Sequence, residues 1–143
     1  MTTVPSRTAP AETGAAYSPE QLALYLHHTH EVGRRWLTVF AGNKDFYSAA
    51  FWDLFTALWA QTVPVRKTEA LAMMTAVKSA HTAGKYLDVA LHHGLLEERP
   101  NPDDARSRLI ALSPDMRTRL DAFFAEAARH LCDTARLLER SAR

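Results

Sequence analysis

Apolar residues recur every three or four positions along most of the chain, which is the spacing of amphipathic helices. The first such stretch is 18–42, because Ser18 and Pro19 are typical of a helix start and Gly42 is typical of a helix end. The same spacing predicts four further helices, over 44–61, about 67–76, 80–93 and 113–143. Three of them follow a residue that commonly caps a helix: Asn43, Ser79 and Ser113.

Two short runs interrupt the helical pattern in the second half of the chain. Residues 95–99 and 108–112 are typical of β-strands, and Pro100 with the Asn-Pro-Asp-Asp sequence after it favours a turn between them. A short extended segment is also expected at 62–65, where Pro64 stops the preceding helix. Two helices joined by a tight turn and followed by a hairpin make a winged helix. We therefore predict a mainly α fold, an α+β winged helix-turn-helix.

The composition predicts one globular domain behind a tail. Residues 1–17 are rich in Thr, Ala and Pro and show no periodicity, so we expect them to be disordered. The remaining residues, 18–143, have the length of a single domain. A content of 47% hydrophobic and 23% charged residues is ordinary for a globular protein.

Several features favour a cytoplasmic location. No apolar run approaches the length of a membrane span, and the N-terminus lacks the apolar core of a signal peptide. The single cysteine, Cys132, excludes an internal disulfide framework and suits a reducing compartment. We expect this cysteine to be half-buried and inert. No membrane partner is predicted.

The net charge of +1 implies no particular partner, but the distribution of charge does. Residues 63–87 carry four cations, Arg66, Lys67, Lys78 and Lys85, against the single acid Glu69. A basic patch confined to one segment is expected where a polyanion docks. The alternative is an ordinary solvated helix face.

Two segments resemble the MarR family of winged helix-turn-helix transcription regulators. Residues 79–88, followed by HGLLEER at 93–99, are similar to the recognition helix and first wing strand of that family. Residues 101–114, NPDDARSRLIALSP, are similar to its wing, with Asp104 and Arg106 matching its Asp-x-Arg element. In this order and spacing, the two segments identify the chain as similar to that family.

The resemblance covers about 51–120 and implies more than a fold. It implies a homodimer in which 18–42 and 113–143 interlace as dimerisation helices, while 44–112 forms the DNA-binding lobe. It also implies that a small molecule or an oxidant controls DNA binding, which gives Cys132 an alternative role as an oxidation sensor. The chain departs from the family at Ala105, where a second wing arginine is common.

The resemblance and the helix periodicity together give a set of expected DNA contacts. A recognition helix over 79–92 enters the major groove, and a wing over 99–108 reaches the flanking minor groove, whose potential attracts arginine. Asp104 is expected to hold Arg106 or a neighbouring cation through a charge-assisted hydrogen bond. The residues expected to contact DNA are Lys78, Ser79, His81, Thr82, Gly84, Lys85, Arg106 and Arg108.

Two of these residues have alternative explanations. Arg108 is also expected to pair with an acid on the adjacent strand, such as Glu97. Gly84 costs roughly 1 kcal/mol relative to alanine inside a helix, so its presence needs a reason. It either lets the backbone approach DNA or allows close packing against a neighbouring helix.

Aromatic and histidine side chains suggest further sites. The family resemblance implies a pocket for a small aromatic or hydrophobic effector, expected at His28, Trp36, Trp52 and Phe55, although aromatic residues at helical spacing are also typical of a plain core. His28 could also simply pack in the core. His27 and His30 lie on neighbouring turns, but no acid or cysteine completes a ligand set at a recognisable spacing. We expect no metal site and no cofactor.

These observations favour a homodimeric DNA-binding transcriptional regulator, a repressor, on a pseudo-palindromic duplex site. No glycine-rich phosphate loop, nucleophile elbow or metal-hydrolase spacing is present in the sequence, so no enzyme is expected. The alternative is a winged-helix protein-interaction or ligand-binding module that has lost DNA binding. The modest net charge, Ala105 and the two wing acids favour that alternative.

Overall fold

The computed structural model describes residues 16–142, so the predicted tail at 1–17 lies outside the described residues except for its last two positions. Within this range the chain forms five α-helices, one 3-10 helix and a three-stranded antiparallel sheet. The elements are α1 (Pro19–Val39), the 3-10 helix (Lys44–Phe46), α2 (Ala49–Ala60), β1 (Val65–Arg66), α3 (Lys67–Met73), α4 (Ala80–His92), β2 (Leu96–Pro100), β3 (Arg108–Leu112) and α5 (Pro114–Ser141).

Helix boundaries follow the capping residues in the sequence. The Ser18 Oγ accepts a hydrogen bond from the Gln21 amide at 3.2 Å, and the Gln21 side chain accepts one from the Ser18 amide at 2.9 Å, which completes a capping box. Ser79 and Ser113 cap α4 and α5 in the same way with their hydroxyls. Gly94 follows α4 with a φ of +70°, the left-handed conformation that glycine adopts most readily.

The prediction of one helix over 44–61 is wrong. Asn43 caps only the short 3-10 helix, and α2 begins at Ala49 with Ser48 as its N-cap. The Trp36 indole on α1 donates a buried hydrogen bond of 3.2 Å to the carbonyl of Phe46, at the end of the 3-10 helix. Because this carbonyl is bonded to another element, the turn is fixed outside a continuous helix.

The third helix is also shorter than predicted, and of the residues that its spacing placed inward, Leu71, Met74 and Val77, only Met74 is fully buried. It ends at Met73, and its fully buried positions are Ala70 and, at the C-cap, Met74. Leu71 and Val77, which the periodicity placed inward, are only partly buried. A helix of seven residues is too short for its periodicity to define the buried face.

The sheet forms the wing and joins it to the helices. Its strand order is β1-β3-β2, with Val65 opposite Ile110 and Leu96 opposite Leu112. Ile110 and Leu112 lie on the face of β3 that packs on the core, while Arg108, on the same face but beside the turn, extends past the core and is exposed. The hairpin therefore projects its charged end away from the core.

Aromatic side chains from three helices fill the core beside the winged-helix lobe. The Trp36 ring meets Phe123 of α5 at 5.3 Å and Phe40 at 5.0 Å, both edge to face. Phe55 on α2 is fully buried in the same cluster. This core packs α1 and α5 against each other and against α2.

Two arginines of α5 fasten the C-terminal ends of the other long helices. The Arg117 guanidinium donates to the carbonyls of Trp59 and Gln61 at 3.3 and 3.1 Å, at the end of α2. Arg119 donates to the carbonyl of Val39, the last residue of α1, at 3.2 Å. Helix C-termini carry unsatisfied carbonyls and partial negative charge, so cations stabilise them there. These contacts set the position of α5 relative to the rest of the chain.

Part of the helical surface is apolar and exposed. Leu131, which the periodicity of the last helix placed in the core, is 54% exposed. Cys132 is exposed rather than half-buried. On α1, Leu22, Tyr25 and Leu26 are each more than half exposed. Within the described residues, the helices are all too short or too polar to cross a membrane.

Candidate nucleic-acid interface

The two faces of α4 differ in chemistry. Ala83, Leu87 and Ala90 are buried against the rest of the domain, as their spacing predicts. The opposite face and the turn before it are exposed and mostly polar or charged, although Val89 is an exposed apolar residue there. The exposed polar and charged positions are Lys78, Ser79, His81, Thr82, Lys85, the acid Asp88, and His92. A helix that buries one side and offers donors on the other can be laid into a groove of a polyanion.

The first turn of α4 is held in place by Ser79. Its hydroxyl accepts from the Thr82 amide at 3.1 Å and donates to the Thr82 hydroxyl at 2.9 Å. Thr82 is exposed, so its own hydroxyl hydrogen faces solvent with a fixed oxygen position. The N-terminus of a helix also carries partial positive charge, which favours an anion there. Ser79 therefore acts as the N-cap of α4.

Gly84 has no packing role in this chain. A Cβ built at this position meets no heavy atom within 4 Å, apart from the local helix backbone and chain neighbours. The explanation that glycine is needed for close packing against a neighbouring helix is therefore wrong within the described residues. The position opens to free space.

The tip of the wing is built from two short side-chain turns. Asn101 Oδ1 accepts from the Asp103 amide, and Asp104 Oδ1 accepts from the Arg106 amide, both at 3.0 Å. Asp104 thus orients Arg106 through its backbone amide. The predicted charge-assisted bond between the Asp104 carboxylate and the Arg106 guanidinium is absent from the described contacts.

Arg108 pairs with a different acid from the one suggested by the sequence. Its Nε lies 3.2 Å from Glu98 Oε1, whereas Glu97 bonds to Arg99 at 2.8 Å. The strand register explains this, since Arg108 stands opposite Pro100 and Glu98 lies two residues along the same face. Both pairs are exposed, and such pairs contribute at most about 1 kcal/mol, so a phosphate can displace Glu98.

Three cations near the helix and wing are free of intramolecular ion pairs. None of the salt bridges found within residues 16–142 involves Lys78, Lys85 or Arg106, and all three side chains are exposed. Arg66, another member of the basic segment, lies on β1 opposite Leu109 of the wing strand. The basic segment is therefore divided between the sheet and the start of α4, and it can meet an anion without first breaking an ion pair.

Of the four residues of the predicted effector pocket, only Trp36 and Trp52 line a common groove. Trp36 and Trp52 pack edge to face at 4.9 Å and line a groove of about 390 Å³ between α1 and α2. Phe55 is fully buried behind Trp36, with ring centroids 6.4 Å apart, and does not line the groove. His28 turns toward His130 of α5 instead.

Sequence reasoning missed most of the residues that line this groove. The missed residues are Thr29, Val32, Gly33, Tyr47, Ser48 and Ala49. The sequence contains one hint of close packing, because a glycine inside a helix, such as Gly33, is unfavourable without a reason. The structure supplies the reason: the Tyr47 hydroxyl would lie only 3.0 Å from a Cβ at this position. Tyr47, Ser48 and Ala49 depend on the turn before α2, which the sequence did not predict, whereas Thr29 and Val32 lie on α1.

The remaining histidines form no metal site within the part of the chain that the structure describes. No group of three or more histidine, cysteine or acidic side chains is placed there to hold a metal ion. His27 and His30 are both exposed on α1. His93 caps the end of α4 and packs edge to face on Phe46 at 5.2 Å.

No family model matches the sequence, and no curated protein matches it either. The fold is nevertheless similar to those of several solved structures. RV1404 from Mycobacterium tuberculosis gives a TM-score of 0.61 at 16% identity, covering 89% of this chain and 84% of that chain. The MepR–DNA complex of S. aureus gives 0.57 at 15% identity, covering 86% and 97%.

Wild-type MarR from E. coli, in its apo form, gives a TM-score of 0.52 at 15% identity, with 89% of this chain and 87% of that chain covered. At these identities the similarity concerns the fold. The predicted α+β winged helix is confirmed, and it has the arrangement of MarR-like structures.

Proposed function

We propose that the protein binds duplex DNA as a homodimeric transcriptional regulator, and that it acts as a repressor. The observation that carries this proposal is the exposed, donor-rich face of α4, with unpaired Lys85, next in the chain to a hairpin that exposes Arg106. The similarity in fold to a protein solved in complex with DNA supports it. A dimer that does nothing beyond occupying its DNA site blocks other proteins from that site. We therefore propose repression rather than activation of transcription.

In this proposal α4 enters the major groove by its N-terminal half. Lys85 contacts a guanine edge or a phosphate, while His81 and Thr82 donate to bases or phosphates. Lys78 and the Ser79 cap contact the backbone near the helix start. The wing, 99–108, follows the flanking backbone, with Arg106 at the minor groove and Arg108 exchanging Glu98 for a phosphate.

The proposed dimer uses the exposed apolar surface of the two terminal helices. Leu22, Tyr25 and Leu26 follow an i, i+3, i+4 spacing and share one face of α1. Leu131 and Leu137 on α5 are also exposed. A second copy would bury these side chains with two-fold symmetry, which places two copies of α4 on half-sites about one helical turn apart.

The salt dependence of DNA binding tests the proposal directly. We expect the protein to bind duplex DNA from upstream of its own gene, with the logarithm of the affinity falling linearly with the logarithm of salt concentration. Neutralising roughly 4–8 phosphates per dimer gives a slope of about −4 to −7. Fluorescence anisotropy across a salt series measures it. Absence of binding to any upstream fragment at low salt would instead favour a module that has lost DNA binding.

Replacing Gly84 by alanine separates folding from DNA binding. The new methyl group meets open space, so the free energy of unfolding should rise by about 0.5–1 kcal/mol through helix propensity alone. If the glycine allows α4 to approach DNA, operator affinity should fall in the same variant. Chemical denaturation and anisotropy measure the two effects. A more stable variant with unchanged operator affinity contradicts the close-approach role.

The groove between α1 and α2 is the proposed site of a small aromatic or hydrophobic effector. Its volume of about 390 Å³ is within the range of small-molecule pockets, and Trp36 with Trp52 offers aromatic surface. Thr29, Ser48 and Tyr47 supply hydroxyls that can orient a polar group of the ligand. Because α2 begins the DNA-binding lobe and α1 belongs to the proposed dimer lobe, a ligand here would bias their relative position.

A further inference from the structure

Two imidazoles meet head to head between the two longest helices. Nδ1 of His28 on α1 lies 2.7 Å from Nδ1 of His130 on α5, and the ring planes differ by 8°. The ring centroids are 4.9 Å apart, which is close to the sum of the nitrogen–nitrogen distance and the two centroid-to-nitrogen radii. The two Nδ1 atoms therefore lie on the line that joins the centroids. The rings therefore lie edge to edge in one plane, joined by a hydrogen bond, rather than stacked face to face.

This geometry limits the protons that the two rings can carry. A hydrogen bond between two Nδ1 atoms needs a hydrogen on one of them and a lone pair on the other. Two neutral rings satisfy it when one is the Nδ1–H tautomer and the other the Nε2–H tautomer. One added proton also satisfies it, since an imidazolium donates to a neutral ring. A second added proton places N–H against N–H and removes the bond.

The groups around the pair come from the same two helices. On α1, His27 lies 6.2 Å from His130 and Tyr25 lies 6.4 Å from His28, both as ring centroids. Glu31 is near enough to interact with His130, although its hydrogen bond to Arg34 is the largest cause of its lowered pKa. Glu31 is thus already engaged by Arg34.

On α5 the charged groups that flank His130 are largely engaged with one another. Glu126 pairs with Arg35 of α1 at 3.1 Å and also with Arg129, and Asp133 lies 3.7 Å from Arg129. The two carboxylates of α5 nearest His130 in sequence, Glu126 and Asp133, are therefore already engaged by arginines.

We propose that the His28–His130 pair is a proton-sensitive contact that holds α1 against α5 near neutral pH and releases them when both imidazoles are protonated. The contact joins segments 102 residues apart in sequence and lies within the helical lobe, away from the residues assigned to DNA. The proposal concerns folding and does not depend on DNA binding. Only its consequence, weaker operator binding in acid, rests on the proposed function.

The lowered pKa of His28 determines how the folding stability changes with pH. Burial, and then the charge that His130 can carry, lower the pKa of His28 from its ordinary value of 6.5. The unfolded chain therefore binds this proton more readily than the folded chain. The stabilisation is complete above about pH 6.5 and is lost as the pH falls toward the lowered pKa of the folded state.

Equilibrium unfolding as a function of pH tests the proposal with the full chain. Below about pH 6.5 the unfolding constant of the wild type should rise by up to about tenfold per pH unit, because one extra proton is taken up on unfolding. His28→Asn and His130→Asn keep a hydrogen-bonding group near the Nδ1 position but remove one titrating ring. Both variants should show a flatter profile between pH 7.5 and 5.

His30→Asn is the matched control, because His30 is exposed on the same helix and makes no side-chain contact found in the described structure. Its profile should run parallel to that of the wild type. If all three variants keep the slope of the wild type, the proposal is wrong. A slope that changes when EDTA or Zn²⁺ is added also overturns it, since a shared metal ion would then be the cause.

A second measurement needs no substitution. ¹⁵N spectra of the histidine rings in the wild type at pH 8 should show one Nδ1–H tautomer and one Nε2–H tautomer for His28 and His130. The same spectra should show His28 gaining its proton below its ordinary pKa. Two Nε2–H tautomers at pH 8, or ordinary titration of His28, would overturn the proposal whether or not the protein binds DNA.

Discussion

Replacing Lys85 and Arg106 together by glutamate is expected to lower operator affinity by roughly a thousandfold. A dimer loses four cationic contacts, and at about 1 kcal/mol or more for each contact the loss comes to roughly 4 kcal/mol. The reversed charges also repel phosphate, and the salt dependence should become shallower. Both side chains are exposed and unpaired within the described residues, so the fold should not change. Anisotropy with upstream DNA measures the affinity.

The control for this pair is a charge reversal elsewhere on the surface. Lys44→Glu changes an exposed lysine of the 3-10 helix, and Arg136→Glu changes an exposed arginine of α5. If binding follows net charge alone, the control pair and the test pair will weaken it equally. That result would contradict the assignment of α4 and the wing to the interface, while leaving DNA binding itself in place.

The local parts of this structure could be predicted because their causes are local. Ser18, Ser79 and Ser113 cap helices through amides only three residues away, and Gly94 ends α4 through its own backbone conformation. The hairpin follows from alternating side chains around a turn that Pro100 and Asn101 favour. These signals suffice to order the elements of a winged helix.

The failures of prediction depend on partners far away in sequence. The break before α2 depends on Trp36, whose indole bonds to a carbonyl ten residues on and fixes the turn. The position of His28 depends on His130, which no helix periodicity connects to it. Hydrophobic spacing tells which face of a helix is buried, but it does not tell which side chain is met there.

In the wing, too, the sequence predicted the kind of contact but not the exact partner. The sequence predicted that Arg108 pairs with an acid of the neighbouring strand, and it does, but with Glu98 rather than Glu97. A shift of one residue exchanges the two faces of a strand, so the register decides the partner. For Asp104 the sequence predicted that it orients Arg106, but not that it does so through the backbone amide. An aspartate that accepts from an amide cannot be told from one that accepts from a guanidinium by sequence alone.

The proposed DNA interface and the proposed dimer surface differ in how the sequence reveals them. The exposed residues of α4 could be predicted because the spacing of its apolar residues identifies the buried face, and the exposed face lies opposite. The apolar surface of α5 was missed, because Leu131 continues the periodicity of the core and only the end of the packed region reveals that it is exposed. An exposed continuation of a core pattern on a long helix is a sign of a partner surface.

Lysine substitution at Leu22 and Leu26 is expected to dissociate the dimer. Each leucine is more than half exposed in one chain, and a second copy would bury four of them. At about 1.5 kcal/mol for each side chain, the loss is about 6 kcal/mol, or about four orders of magnitude in the dimerisation constant. Lysine is a good helix former, so α1 should persist. Sedimentation equilibrium measures the association, and circular dichroism the helix content.

Val63→Lys is the matched control, because Val63 is 67% exposed in the segment before β1, outside the proposed dimer surface. It should leave the dimer unchanged. The Leu22→Lys, Leu26→Lys chain should bind DNA with the affinity of a single half-site, because α4 and the wing remain intact while the two-fold symmetry is lost. A variant that stays dimeric would place the subunit contact elsewhere, and a monomer with undiminished operator affinity would show that the protein does not need two copies to bind.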